Sequence, residues 1–354
     1  MTTAQSPDPG PPETGPAGLG DLERVRRFLG ATAGPLRAEL IAGGRSNLTY
    51  LVTDESSRWV LRRPPLGALT PSAHDMAREY RVVSALHGHV PVPPPVALCE
   101  DPDVLGVPFA VTGYVDGLVL RTSEDLAAYP PARLRECAFG LIDALAALHA
   151  VPYRDVGLGD FGRWEGYLGR QVRRWMDQWQ RVATRELPDL VTLHRGLADR
   201  VPRESGGSVV HGDFRVDNVL LDRANLATVR AIVDWEMATI GDPLADLGLT
   251  LVYRDPAFGS VTVGRASTSE LFPAMDELAE RYARSSGRDL GTLDFYLALG
   301  YFKSAVIAEG IHNRYLRGMT VGDGFAVVGQ AVPPLVAAGL RALGGQAGGG
   351  SPWA

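Results

Sequence analysis

The stretch VVHGDFRVDNVLLD, residues 209–222, decides how this chain reads. Two apolar runs, 209–210 and 219–221, flank a polar loop that carries His211, Asp213, Arg215, Asp217 and Asn218. A strand pattern follows over 229–234 (VRAIVD) and ends in Asp234, ahead of Trp235 and Glu236. Carboxylates and a carboxamide at adjacent strand ends suit a hard, oxygen-liganded cation such as Mg2+. Magnesium binds few protein ligands and completes its shell with phosphates and water. A site whose protein ligands are only Asn218 and Asp234 therefore makes sense where a nucleotide polyphosphate supplies the rest.

Toward the N-terminus the pattern is β-rich. DLERVRRFLG opens with a short helix that Asp21 can cap and Gly30 can stop. Residues 38–53 (AELIAGGRSNLTYLVT) read as strand, glycine turn, strand, and 56–65 (SSRWVLRRPP) as a third strand ended by prolines. Pro71 and Ser72 open a helix with Met76, Tyr80, Val83 and Leu86 on one stripe. A Pro-rich loop follows over 90–101, then a strand and turn over 108–117. Beyond Gly117 helical periodicity takes over at 124–149, 163–183, 189–200, 268–286 and 290–316. The strand-rich patch at 208–234 is the one interruption. The expected class is α+β: a small β-rich lobe over 21–112, a hinge at 113–117 and a larger, mostly helical lobe over 118–343. Alternating βαβ units are absent, which speaks against a doubly wound sheet. The tails, 1–20 and 344–354, hold little to bury and are expected to be disordered or flexible.

Within this frame, His211-Gly212-Asp213 followed by Asn218 matches the H-x-D-x-x-x-x-N catalytic loop of protein kinases. Residues 232–236 (IVDWE) stand where protein kinases carry Asp-Phe-Gly. With Trp235 and Glu236 there, and Gly241-Asp242-Pro243 and Asp246-Leu247 beyond, the chain resembles the aminoglycoside phosphotransferase family over residues 21–340. It looks especially like the kinase domains fused to some acyl-CoA dehydrogenases, and their stand-alone bacterial relatives, through VLRRPP, PSAHDMAREYRVVSAL, HGDFRVDN and YFKSAVIAEGIHNRYLRG. That resemblance implies a bilobal protein-kinase-like fold. It also implies ATP- and Mg2+-dependent transfer of a γ-phosphate to a hydroxyl of a small molecule.

The resemblance assigns roles residue by residue. Asp213 would accept the proton of the attacking hydroxyl or orient it, and Asn218 and Asp234 would hold Mg2+. Arg215 could stabilise charge on the transferring group; its bland alternative is a salt bridge to Asp217. Gly43 and Gly44 would let backbone amides approach phosphate oxygens, and Ser46 and Asn47 could donate to the γ-phosphate. The family usually has Lys on the third strand, where this chain has Arg62, with Glu79 as its ion-pair partner; Arg63 reads as a solvated strand edge. Backbone groups near Gly113 and Val115 would meet the base, which does not separate ATP from GTP. His211 reads as structural, Asp217 as a loop brace, and Asp242 with Pro243 as a helix start.

Composition narrows the function classes. Thirty-five basic against 41 acidic residues give a net charge of −6, against non-specific nucleic-acid binding. No run of about 18 apolar residues is present, so no membrane span is expected. The N-terminus lacks the basic and apolar regions of a secretory signal. Two cysteines, Cys99 and Cys137, make no disulfide framework, and a cytoplasmic setting is expected. Among the 35 basic residues one is lysine, Lys303, so any other cationic contact must use arginine.

The acceptor is expected to meet residues 162–181, with Trp164, Tyr167, Arg170, Trp175 and Trp179, or 301–318, with Glu309, His312 and Arg314. Aromatic stripes at helical spacing are ordinarily core. These segments carry more arginine than acid, which favours a neutral or anionic acceptor over a cationic one; the resemblance to the kinase domains fused to acyl-CoA dehydrogenases implies a hydroxyacyl-CoA-type acceptor. An aminoglycoside-type antibiotic kinase is the alternative within the class, and a nucleotide-binding pseudokinase the alternative outside it. A protein kinase is disfavoured, because no Ala-Pro-Glu follows Asp234 and Asp242 comes only eight positions later.

Overall fold

The computed structural model describes residues 18–42, 47–66, 75–261, 266–320 and 324–344. The chain divides into two units: Met1–Ser84 with Pro94–Tyr114, and Ala85–Pro93 with Val115–Ala354.

The first unit is the β-rich one. Helix α1 (Leu22–Leu29) starts where the Asp21 carboxylate accepts the Glu23 N–H at 2.9 Å. It ends at Gly30, whose φ of 63° favours glycine. Strands β1 (Arg37–Ala42), β2 (Leu48–Thr53), β3 (Arg58–Arg63), β4 (Pro95–Cys99) and β5 (Phe109–Gly113) form one antiparallel sheet in the order β1-β2-β3-β5-β4. Helix α2 (Met76–Leu86) follows β3, and α3 (Pro102–Leu105) lies between β4 and β5. Alternation along β2 and β3 sends Tyr50, Val52 and Leu61 into a core shared with Val25, Phe109 and Val111. The same alternation separates Arg62 from Arg63. Arg63 shares the face of Leu61 and is buried; its guanidinium donates to the Pro64 carbonyl at 3.1 Å and to the Gly18 carbonyl. The solvated-edge reading of Arg63 is therefore corrected. The expected loop at 90–101 also contains β4. As the sheet's edge strand, it tolerates Pro95 at its first position.

The second unit is helical: α4 (Ser123–Ala127), α5 (Pro131–Ala150), α6 (Tyr167–Val182), α7 (Pro188–Asp199), α8 (Pro243–Val252), α9 (Met275–Ser286), α10 (Leu293–Leu316) and α11 (Val332–Gly344). The helix expected over 124–149 is two, broken before Pro131, and the one expected from 268 begins only at Met275, after Pro273. Helix α10 is buried on nearly all sides and packs against α6, α7, α8 and α11. Cys99 and Cys137 are both free and buried. No helix among the described residues is long and apolar enough to cross a membrane.

Two small ribbons matter most. Strands β6 (Ser208–Val210) and β9 (Thr239–Gly241) pair antiparallel, and so do β7 (Val219–Leu221) and β8 (Val229–Ile232). The pairing is nested, outer strands together and inner strands together. It therefore lays the β6–β7 loop beside the β8–β9 connection, and those two segments carry the chemistry-bearing residues.

Candidate active site

The β6–β7 loop is held from behind by one carboxylate. Asp246, on the first turn of α8, accepts the His211 N–H at 2.6 Å and the Gly212 N–H at 2.9 Å. It also meets His149 Nε2 at 3.3 Å. Asp246, His149 and His211 are buried. Burial pushes the Asp246 carboxyl up, but the hydrogen bonds from His149 and His211 bring it below its ordinary value. His211 bridges to the second segment, with Nε2 at 2.9 Å from the Val233 carbonyl and its ring 4.7 Å from that of Trp235. It packs as a structural histidine, as the sequence suggests. Gly212 has φ +83°, and a Cβ there would sit 2.8 Å from the Met237 carbonyl oxygen. The two segments approach so closely that only glycine fits.

Asp213 follows, with both carboxylate oxygens engaged. Tyr253, just past α8, donates its hydroxyl to Oδ1. Asn218 Nδ2 donates to Oδ2 at 3.0 Å and to the Asp213 carbonyl at 2.9 Å. Arg215 Nε lies 3.5 Å from Oδ2, and its Nη1 lies 3.1 Å from Asp217 Oδ2. Burial works against the Arg215 charge, yet Asp213 and Asp217 hold its pKa above the ordinary value. Burial, reinforced by the Asp213 charge, keeps the Tyr253 phenol well above its usual range, so it stays a donor. Asp217 braces Arg215, as expected of it.

Asn218 and Asp234 are brought together by the nested ribbons, since the Val233 N–H donates to the Asn218 carbonyl at 2.9 Å. The Asn218 amide nitrogen is committed to Asp213, which leaves Oδ1 as the atom able to meet a cation. Asp234 has φ 69° and ψ 64°, and it is the one non-glycine with positive φ among the described residues. Such a backbone costs on the order of 1 kcal/mol and is characteristic of functional positions. Among the described residues no group of three His, Cys, Asp or Glu side chains could hold a metal ion. A carboxamide oxygen and a carboxylate nonetheless fit a magnesium that takes its other ligands from phosphate and water.

In the first unit, Arg62 Nε meets Glu79 Oε1 at 2.8 Å. Glu79 is buried, and its other oxygen accepts the Asn47 amide at 3.3 Å. One N–H of the Asn47 amide is thus turned to Glu79. Gly43, Gly44 and Ser46, and the helix opening at Pro71 and Ser72, lie outside the described residues. The Gly113 N–H is committed to the Pro94 carbonyl at 2.8 Å, so a base-edge donor there is already used. Val115 is the first residue after the boundary between the units.

The aromatic segments resolve mostly as core. Trp175 and Trp179 are buried on α6, and Glu309 is buried on α10, accepting from Thr184 at 2.7 Å (N–H) and 2.6 Å (hydroxyl). Asp242 caps α8 as expected, accepting the Leu244 N–H at 3.0 Å, and also binds Ser205 and Tyr296. Tyr253, Asp246 and Lys303 received no role from the sequence. Each reaches the loop from a helix or helix end at least 30 positions downstream, and only tertiary packing reveals that. The signal available for Lys303 was its being the single lysine.

A model of the phosphotransferase enzyme family matches residues 37–296. A solved structure of a candidate aminoglycoside phosphotransferase from Ralstonia eutropha JMP134 is 30% identical, with a TM-score of 0.78, covering 91% of this chain and 98% of that one. The GDP complex of aminoglycoside 2'-phosphotransferase-IIIa shares the fold at 18% identity and a TM-score of 0.62, covering 88% of this chain and 96% of that one. Acyl-CoA dehydrogenase family member 11 of Gallus gallus is 36% identical over 337 residues, which are 91% of this chain but 43% of that protein. The chain thus spans less than half the length of this curated relative.

Proposed function

The chain belongs to the phosphotransferase enzyme family and is a small-molecule kinase; on that premise we propose that it moves the γ-phosphate of ATP or GTP, with Mg2+, to a hydroxyl of a non-cationic metabolite. The observation that carries this reading is the Asp213 carboxylate, fixed by Tyr253 and Asn218, with Asn218 and Asp234 on hydrogen-bonded neighbouring segments. Asp213 orients the acceptor hydroxyl and takes its proton. Arg215 offsets charge on the transferring group from beside Asp213. Asn218 Oδ1 and the Asp234 carboxylate would hold magnesium, which when bound neutralises charge on the β- and γ-phosphate oxygens. Arg62, steadied by Glu79, supplies the cation for the α- and β-phosphates, where its fork can engage two oxygens.

The acceptor class rests on charge. Helix α6 carries Arg170, Arg173, Arg174 and Arg181 against Asp177, which disfavours a polycation. Likeness to a portion of an acyl-CoA dehydrogenase family member adds a hydroxyacyl thioester as the acceptor to try first. The test is γ-labelled ATP or GTP with Mg2+ and a panel of neutral, anionic and cationic hydroxylated metabolites. Label should pass to neutral or anionic acceptors. Turnover confined to aminoglycosides would overturn the acceptor class, and no transfer to any acceptor or to water would overturn the reading.

Two variants probe the phosphate contacts. Arg62→Ala should raise the KM for ATP about 10–100-fold, from the loss of roughly 1.5–3 kcal/mol of charge-assisted hydrogen bonding. Steady-state kinetics that leave KM unchanged would remove Arg62 from the nucleotide site. Asp234→Ala should raise the Mg2+ concentration for half-maximal phosphate release about tenfold or more, for the loss of at least about 1.4 kcal/mol of ligation. A magnesium titration that superimposes on that of the wild type would withdraw the ligand role.

A further inference from the structure

One cation near Asp213 has no part in the scheme above. Lys303, midway along α10, points its ammonium at the β6–β7 loop and donates to the Gly212 carbonyl at 2.7 Å. Its amine also lies 5.6 Å from the centroid of the Trp175 ring on α6. Beside it is a cavity of about 30 Å3, lined by Tyr167, Gln171, Trp175, Gly212, Asp246 and Leu249 among others. The enclosed part of that space admits roughly two water molecules.

We propose that Lys303 is a positioning residue for transfer: its ammonium clamps the Gly212 carbonyl and thereby sets the direction of the Asp213 carboxylate. The Gly212–Asp213 peptide carries that carbonyl, and the preceding peptide is held through its N–H by Asp246 at 2.9 Å. The two peptide planes around a glycine at φ +83° are thus pinned from opposite elements, α8 and α10. Glycine would otherwise leave this joint the freest in the loop.

Charge matters as well as reach. The groups acting on the ammonium are Asp213 of the loop, Asp246 of α8 and Arg174 of α6. Burial lowers the amine's pKa, the two carboxylates raise it, and Arg174 lowers it again, leaving it below its ordinary value. Composition adds an independent argument. A chain that otherwise uses arginine for every cationic side chain has its one lysine here. The compact ammonium on its flexible stem places a point charge between the Trp175 face and one carbonyl.

The inference rests on the phosphotransfer reading, and its test separates the two. The probe is Mg2+-dependent release of inorganic phosphate from ATP, with no acceptor added, by the wild type, Lys303→Ala and Lys303→Met. Both variants should lose about 10–100-fold in kcat, the scale of an ångström-sized misplacement of a reacting group, with the KM for ATP within about twofold. Lys303→Met keeps the stem and removes the charge, so equal losses in the two variants, with unchanged thermal unfolding, identify the ammonium. Added n-propylammonium, which completes the truncated side chain, should restore Lys303→Ala saturably, whereas n-propanol of like shape should not. Wild-type kcat in either variant overturns the inference, as does equal restoration by n-propanol, which would mean that only space is filled. A wild type that neither releases phosphate here nor passes it to any acceptor sinks the phosphotransfer reading instead.

Discussion

Asp213→Asn should abolish most phosphoryl transfer while leaving nucleotide binding within a few-fold of the wild type. The expected loss in kcat is about 10²–10⁴-fold, the range for removing a positioned general base. The substitution is conservative in shape. An amide oxygen can still face Asn218 Nδ2 and Arg215, now 3.0 Å and 3.5 Å from Oδ2. The amide nitrogen then faces Tyr253, whose hydroxyl can turn to accept from it. The loop keeps its hydrogen bonds, and what goes is the capacity to take a proton and the negative charge that holds Arg215. Because Asp213 is not among the proposed magnesium ligands, affinity for Mg-nucleotide should persist. Transfer of label from γ-labelled ATP, together with equilibrium nucleotide binding, separates the two effects. Equal turnover by the variant would falsify the assigned base. Unchanged turnover with weakened nucleotide binding would move Asp213 into the metal site.

The parts of this site that were legible in sequence are those whose chemistry demands a fixed spacing. Asp213 and Asn218 sit five apart because the carboxamide must return to the carboxylate across a tight loop, as its two bonds to Asp213 show. Asp242 and Pro243 announced α8 because capping is a local, single-turn interaction. Edge and end positions were hidden by proline. Strand β4 begins at Pro95, and α11 carries two prolines in its first turn, where the missing N–H groups cost nothing. Lys303 was legible only as composition, as the single lysine. Glu79 was singled out by motif, but Arg63 looked solvated because strand alternation alone does not say which face has the core. Tyr253, Asp246 and Lys303 act on residues 34 to 91 positions away, and the packing of α8 and α10 around the loop puts them there.

The largest effect on stability is expected at Asp246. Asp246→Ala removes the acceptor of the buried His211 N–H and the half-buried Gly212 N–H, and the partner of a buried imidazole. Each orphaned donor costs about 1–3 kcal/mol, and breaking a buried charged contact typically costs about 3–5 kcal/mol in all. Against the usual 5–15 kcal/mol of a folded domain this is severe. The second unit's denaturant midpoint should fall accordingly, and phosphoryl transfer with it, since the Gly212 joint loses one of its two clamps. The pH dependence gives a second handle. Burial first, only partly opposed by Asp246, holds His149 below its ordinary imidazole value of 6.5. Below that pH the unfolded chain takes up a proton that the folded one refuses, so stability falls as pH drops from there. The Asp246 carboxyl, lowered in the fold, contributes stability that is complete above the unfolded carboxyl's range near pH 4 and lost as pH falls through its folded value. The wild type should therefore weaken in two stages on acidification. Asp246→Ala should lack the second stage and show a steeper first one, because His149 has lost the carboxylate that favours its charged form. Unfolding curves for the variant that parallel those of the wild type from pH 7 to pH 4, offset by less than about 1 kcal/mol, would mean that water or a neighbouring group replaces the carboxylate. The loop's placement would then owe little to α8.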